Sequence, residues 1–155
     1  MRTHEKRISD LGTVLVLVLS SDPTRILLIK DMSFKKPFWK LPGGHIETTD
    51  FDVISAGIRE VREETSEKDK DNGLKLLREE VELFSEQWNL GAIYYPHLCV
   101  ARNVSEEKLK ALVGKMGYEN DHPVEIGIFE MKKALKMYDL FKKHRSFICE
   151  VLMEK

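Results

Sequence analysis

Three glutamates close together, Glu60, Glu63 and Glu64, are the residues of this sequence best placed to do chemistry. They lie in a segment with helical apolar spacing: at about 100° per residue, Ile54, Ile58, Val61 and Thr65 share a narrow arc suited to a core. Glu60 and Glu64 fall together, roughly 90 to 130° from that arc, with Glu63 beyond them. Like charges one turn apart repel, so the cluster needs either open solvation or a cation. Hard carboxylate oxygens suit Mg²⁺ or Mn²⁺, which take a few protein ligands and fill their shell with water and substrate phosphates. The plain alternative is a solvated acidic helix face.

What precedes the helix adds weight to the metal reading. Leu41-Pro42-Gly43-Gly44 is a tight loop, because proline fixes its own backbone angle and glycine admits close approach. Asp52 is placed to cap the helix N-terminus. Upstream, residues 14–19 are rich in β-branched valines, and residues 25–29 read as the returning arm of a hairpin after a Ser-Ser-Asp-Pro turn. Arg2, Lys6 and Arg7 ahead of that apolar run raise a signal peptide, but Asp10 and the short apolar core favour a strand.

Downstream, residues 74–83, 92–101 and 124–129 read as strands, the first weakened by its Lys, Arg and Glu content. Ser105 is a candidate N-cap for a helix whose Leu109, Leu112 and Val113 share a face. In the tail, Ala134, Tyr138 and Phe141, then Ile148, Val151 and Leu152, have the spacing of helices covering a sheet. Strands in pairs separated by helices predict a mixed α/β domain.

The chain has 155 residues, enough for one full core, so residues 1–155 are expected to form a single domain. Twenty-five Lys and Arg against 26 Asp and Glu leave no field to hold nucleic acid or an acidic bilayer. No apolar run approaches the length of a membrane helix. Cys99 and Cys149 form no C-x-x-C pair, which argues against a zinc site and fits free thiols in a cytoplasmic setting. Neither a Walker A loop nor G-x-G-x-x-G occurs. Gly114-Lys115-Met116-Gly117 looks like the G-x-x-G loop of KH RNA-binding domains, or equally like a turn after a helix.

From Gly44 to Glu67 the sequence resembles the Nudix box, G-x5-E-x7-R-E-U-x-E-E-x-G-U with U aliphatic. Gly44 matches the first glycine, and Arg59-Glu60-Val61-Arg62-Glu63-Glu64 matches the core without a gap. There are departures. Asp50 stands where the pattern has Glu, the loop carries one extra residue before Arg59, and Ser66 and Glu67 replace the closing glycine and aliphatic residue.

The resemblance implies a Nudix-type α/β/α sandwich with a mixed β-sheet, and a Mg²⁺-dependent hydrolase (Mn²⁺ the alternative) that cleaves a pyrophosphate linkage in a small nucleotide. In that frame Glu60 and Glu64 are the expected metal ligands, with Glu63 a third ligand or an outer-sphere partner. Glu60 or Glu63 is the expected base for the attacking water, with Glu119 from a late loop, or Asp121, as the other choice. Arg59 is expected to point away from the ligands and fix the loop through Asp50 or Asp52. Gly43, Gly44, Lys40 and Trp39 are the expected substrate contacts, with Phe38, Trp88, Tyr94 and Tyr95 as further stacking candidates. The altered ends of the box keep open a nucleotide-binding or regulatory module without turnover. Neither the proline nor the tyrosine that marks family subgroups appears near residues 81–84, and a homodimer is left open.

Overall fold

The computed structural model of the chain describes residues 12–19, 24–85, 96–112, 116–119 and 122–153. Among the described residues, eight strands form one mixed sheet: β1 (Gly12–Leu19), β2 (Arg25–Asp31), β3 (Trp39–Lys40), β4 (Gly43–His45), β5 (Val81–Ser85), β6 (Pro96–Val104), β7 (Met116–Glu119) and β8 (His122–Glu130). The helices are α1 (Val53–Glu64), α2 (Glu106–Lys110), α3 (Met131–Ala134) and α4 (Lys142–Met153). Six strands run in the order β5-β6-β1-β2-β8-β7, with β3 attached to β2 and β4 to β1. β1 and β6 are parallel, and the other pairs antiparallel.

The period-two geometry of β2 divides the interior. Leu27 and Ile29 join a core with Val61 of α1 and Val124 and Ile126 of β8. Ile26 and Leu28 face the other way, into a core with Met131, Ala134, Phe147, Ile148 and Val151. A strand buried on both faces requires a helix layer on each side, so the sheet is sandwiched between α1 and the α3/α4 pair. This is the expected α/β/α arrangement.

One irregularity places the loop. β1 meets β2 at Val18↔Ile26, but Gly12, Thr13 and Val14 pair with His45, Gly44 and Gly43 of β4. Ile29 and Lys30 of β2 pair with β3 instead. β1 and β2 thus diverge, and the segment carrying Pro42-Gly43-Gly44 enters between them against α1.

Several boundaries differ from expectation. Residues 74–77 are no strand; strand pairing begins at Val81. The reason lies at the end of α1, where Thr65 Oγ1 accepts the Leu74 N–H at 2.8 Å and Ser66 Oγ accepts the Gly73 N–H at 2.7 Å. These hydroxyls also donate to the Val61 and Arg62 carbonyls. Thus Ser66, in place of the closing glycine, ties the helix end to the following chain. Gly73 is needed there, since a Cβ would lie 2.1 Å from the Arg62 carbonyl oxygen. The tail also splits into two helices, leaving Tyr138 exposed between them. Ser105 Oγ accepts from Lys108 N, as expected of a cap. The turn at residues 20–23 and the candidates Val113, Trp88, Tyr94 and Tyr95 lie outside the described residues.

Candidate active site

Asp52 Oδ1 accepts the Ser55 N–H at 2.9 Å, which starts α1 where the sequence predicts. From there Val61 and Thr65 turn inward, and the acidic flank turns toward the glycine loop. Glu64 is 1 % exposed, and its Oε1 accepts the Gly43 N–H at 2.9 Å. The Glu60 carboxyl group covers Gly44, where a Cβ would lie 2.6 Å from Cδ. Any larger residue at 44 would displace that carboxylate. Gly117 on β7 has a similar reason, for its Cβ would sit 1.8 Å from the Glu64 carbonyl oxygen. That close packing, rather than a phosphate grip, accounts for the second glycine of the G-x-x-G sequence; Gly114 and Lys115 lie outside the described residues.

Arg59 corrects the sequence reading. Its Nε and Nη2 grip Asp50 at 2.8 and 2.9 Å, and Nη2 also donates to the His45 carbonyl at 3.1 Å. The loop is fixed as expected, through Asp50 and not Asp52, which Arg78 holds with two 2.7 Å bonds. Yet Arg59 does not point away from the glutamates. Nη1 lies 3.2 Å from Glu60 Oε2, 3.1 Å from Glu63 Oε1 and 3.5 Å from Glu47 Oε2. A wheel projects only Cα directions, and the long side chain folds back across its own helix. The hydrogen bonds from Arg59 hold the Asp50 carboxyl below the usual range, and those from Arg78 bring Asp52 down to about 2.

Glu47, Arg59, Glu60, Glu63, Glu64 and Tyr118, with Gly44 and His45, line a polar cavity of about 280 Å³. Glu47 and Tyr118 were not singled out by the sequence. The signal for Glu47 was its place on the loop just after His45; for Tyr118, that it adjoins Glu119. Glu119 itself ends β7, where its backbone pairs with His122, and Asp121 lies outside the described residues. Among the described residues no three acidic, histidine or cysteine groups converge as a ready cation cage. Arg59 lies between Glu60 and Glu63, and Glu64 is turned to Gly43. The donors nevertheless suit a hard divalent ion: carboxylate oxygens in a polar cavity, one of them buried and one seated where only glycine leaves room.

Trp39 is a core residue and not a stacking surface in either cavity. It is 8 % exposed, its ring meets Phe129 edge-on at 4.8 Å, and Lys30 Nζ lies 4.9 Å over it. Lys40, Gly43 and Gly44 do line a second cavity on the other side of the loop, together with Phe38.

A family model described as NUDIX domain matches residues 11–99. The chain belongs to the Nudix family. No curated protein matches it in sequence. Solved structures do match, at identities that carry the Nudix fold alone. A C. elegans Ap4A hydrolase complex is 18% identical with a TM-score of 0.56, covering 92% of this chain and 96% of its own. MutT, from a study of Aliivibrio salmonicida and Vibrio cholerae, is 15% identical with a TM-score of 0.57, covering 93% and 98%. An ADP compounds hydrolase is 15% identical with a TM-score of 0.57, covering 92% and 73%. No described helix is long and apolar enough to cross a membrane.

Proposed function

We propose that this Nudix domain hydrolyses a pyrophosphate linkage in a small nucleotide, a nucleoside diphosphate joined to another group, with Mg²⁺ as cofactor. The observation that carries the reading is the acidic cavity that Glu47, Glu60, Glu63 and Glu64 line together with Gly44 of the glycine loop. Glu60, Glu63 and Glu64 would hold the ion, which when bound supplies charge neutralisation for the diphosphate and polarises a water.

The chain's own groups have separate tasks. Glu64, anchored by the Gly43 N–H, keeps loop and helix in register. Glu60 or Glu63 takes the proton of the attacking water, with Glu119 as the other candidate base. Arg59 holds the loop through Asp50 and balances the charge of Glu60 and Glu63. Lys40 is placed at the loop to meet phosphate charge. We further propose a cytoplasmic protein acting on a small molecule and not on a nucleic acid polymer.

A second reading has its own support. With Arg59 already between Glu60 and Glu63, the domain can bind a nucleotide without turning it over. A panel of nucleoside triphosphates, nucleotide sugars, ADP-ribose, dinucleoside polyphosphates and capped oligonucleotides, assayed with Mg²⁺ and with Mn²⁺, separates the two. Metal-dependent release of a nucleoside phosphate supports hydrolysis and identifies the phosphorus attacked. Binding without product under both metals overturns it in favour of the second reading.

A further inference from the structure

Two cavities of opposite charge meet at the glycine loop. Glu47, Glu60, Glu63 and Glu64 make one of them acidic. Across Gly44 and His45, which line both, lies a second of about 350 Å³, within the range of small-molecule sites. Among the described residues no acid lines it, and its cations are Lys40 and Lys143. The chain beside those walls is basic as well. Exposed Lys35 and Lys36 stand between the lining residues Phe34 and Phe38, and exposed Lys142 stands between Phe141 and Lys143. Residues 32–40 and 141–145 contain no Asp or Glu. Asp139, two residues ahead of Phe141, lies 3.6 Å from Lys30 Nζ. A chain with a formal net charge of -1 thus sorts its charges to the two sides of one loop.

The other walls raise the worth of the lysine charge. Phe38 is held between Phe34, at 5.4 Å, and Phe141, at 5.2 Å, so the three rings cover one another and leave an apolar wall. Apolar walls keep water and counterions away, and an ammonium beside them attracts an anion more strongly than one on open surface. The Lys40 charge is felt within this wall. After burial, it is the second cause that holds the His144 imidazole down to about 3, so the histidine adds no charge of its own.

We propose that the second cavity binds a phosphate group on the far arm of the substrate, held by Lys40 and Lys143, so that the preferred substrate is a nucleoside diphosphate joined to a group that is itself phosphorylated. The inference rests on the hydrolase reading for the linkage that is cut, and goes beyond it in naming the second arm. The scissile diphosphate belongs to the acidic side and the remote phosphate to the basic side, with Gly44 and His45 beneath the span between them. A neutral sugar in the second cavity gains nothing from either lysine. Lysine meets phosphate as a point charge, so the site selects charge before shape.

The test has two arms, both on the full chain. In metal-free buffer, inorganic tripolyphosphate is titrated by calorimetry and is expected to saturate. Lys143→Gln is expected to weaken it about tenfold at unchanged Tm. Lys75→Gln, an equal charge change on an exposed residue that lines neither cavity, is expected to bind as wild type does. With Mg²⁺, coenzyme A is compared with dephospho-coenzyme A, and NADPH with NADH, since each pair differs by one phosphate remote from the pyrophosphate. The phosphorylated member of at least one pair is expected to have the higher kcat/KM, through KM, and Lys143→Gln to bring that ratio toward one. Added KCl shrinks the ratio in wild type. Tripolyphosphate that does not bind, or binds Lys143→Gln as tightly as wild type, overturns the proposal. Equal hydrolysis of both members of both pairs overturns it too, leaving the hydrolase reading intact. Lys143-dependent sedimentation with phosphatidylserine vesicles, without tripolyphosphate binding, assigns the lysines to a membrane surface and also overturns it. Lys143-dependent tripolyphosphate binding with no hydrolysis of any substrate supports the cavity and overturns the hydrolase reading instead.

Discussion

Arg59 holds Asp50 with two nitrogens at once, Nε to Oδ1 at 2.8 Å and Nη2 to Oδ2 at 2.9 Å, across the longer loop that separates the two residues in sequence. Asp50 also accepts the Glu47 N–H at 2.8 Å, so this one carboxylate closes the loop on itself and pins it to α1. The Asp that departs from the Nudix pattern therefore does local work. Its shorter side chain is matched by the extra residue in the loop, and together they still deliver the carboxylate to the guanidinium.

Asp50→Asn is accordingly expected to lower stability by about 1–2 kcal/mol, because a bidentate ion pair becomes a single hydrogen bond from the guanidinium to an uncharged oxygen. Urea unfolding measures the loss. If the midpoint does not move, the remaining acids around Arg59 hold the loop without Asp50.

Gly44→Ala separates function from folding. The added Cβ meets the Glu60 carboxyl group, the far end of a flexible side chain, at 2.6 Å. The carboxylate swings away while the backbone stays. Hydrolysis is expected to fall at least about tenfold with Tm almost unchanged, since misplacing a reacting group by an ångström costs that much or more. Equal activity in the two proteins would show that Glu60 does not work from its place over Gly44.

Glu64→Gln keeps an oxygen to accept the Gly43 N–H and removes a buried charge. Stability should hold or rise, as a buried ionised group is costly. Metal-dependent hydrolysis should drop by about two orders of magnitude or more, beyond what loss of a mere supporting partner causes. Parallel measurement of Tm and of turnover at saturating Mg²⁺ decides it, and a fully active Gln variant removes Glu64 from the metal set.

His144 and Asp52 both make stability depend on pH, in windows that overlap between about pH 3 and 4. His144 is depressed to about 3 in the folded protein against 6.5 for the free side chain. The unfolded chain binds that proton first, so its contribution is complete above about pH 6.5 and is lost as pH falls toward 3, on the order of a few kcal/mol. Asp52, depressed to about 2 from 3.8, contributes stability above pH 4 that is lost between about 4 and 2. It is partly exposed, so solvent screening reduces its share to about 1 kcal/mol or less. Urea midpoints from pH 7 down to pH 4 should therefore decline in wild type and flatten in His144→Asn, and a slope that survives the substitution places the titration elsewhere.

The sequence by itself determined what is local. Helical spacing and the Asp52 cap set α1, the acids one turn apart shared a flank, and the unbroken apolar run from Ile26 to Ile29 suited a strand buried on both faces. These follow from backbone periods and need no distant partner. The tertiary structure decided everything that depends on where long side chains and remote segments end up. Arg59 folds in among the glutamates because loop and helix present acids on both sides of it. Trp39 goes into the core because Phe129 and Lys30 enclose its ring. Strand pairing waits until Val81 because Ser66 and Thr65 take the Gly73 and Leu74 N–H groups and Glu80 takes that of Leu77. His144 meets Leu41 across 103 positions of chain, a contact no periodicity encodes, because only the docking of α4 beside β3 brings the two together.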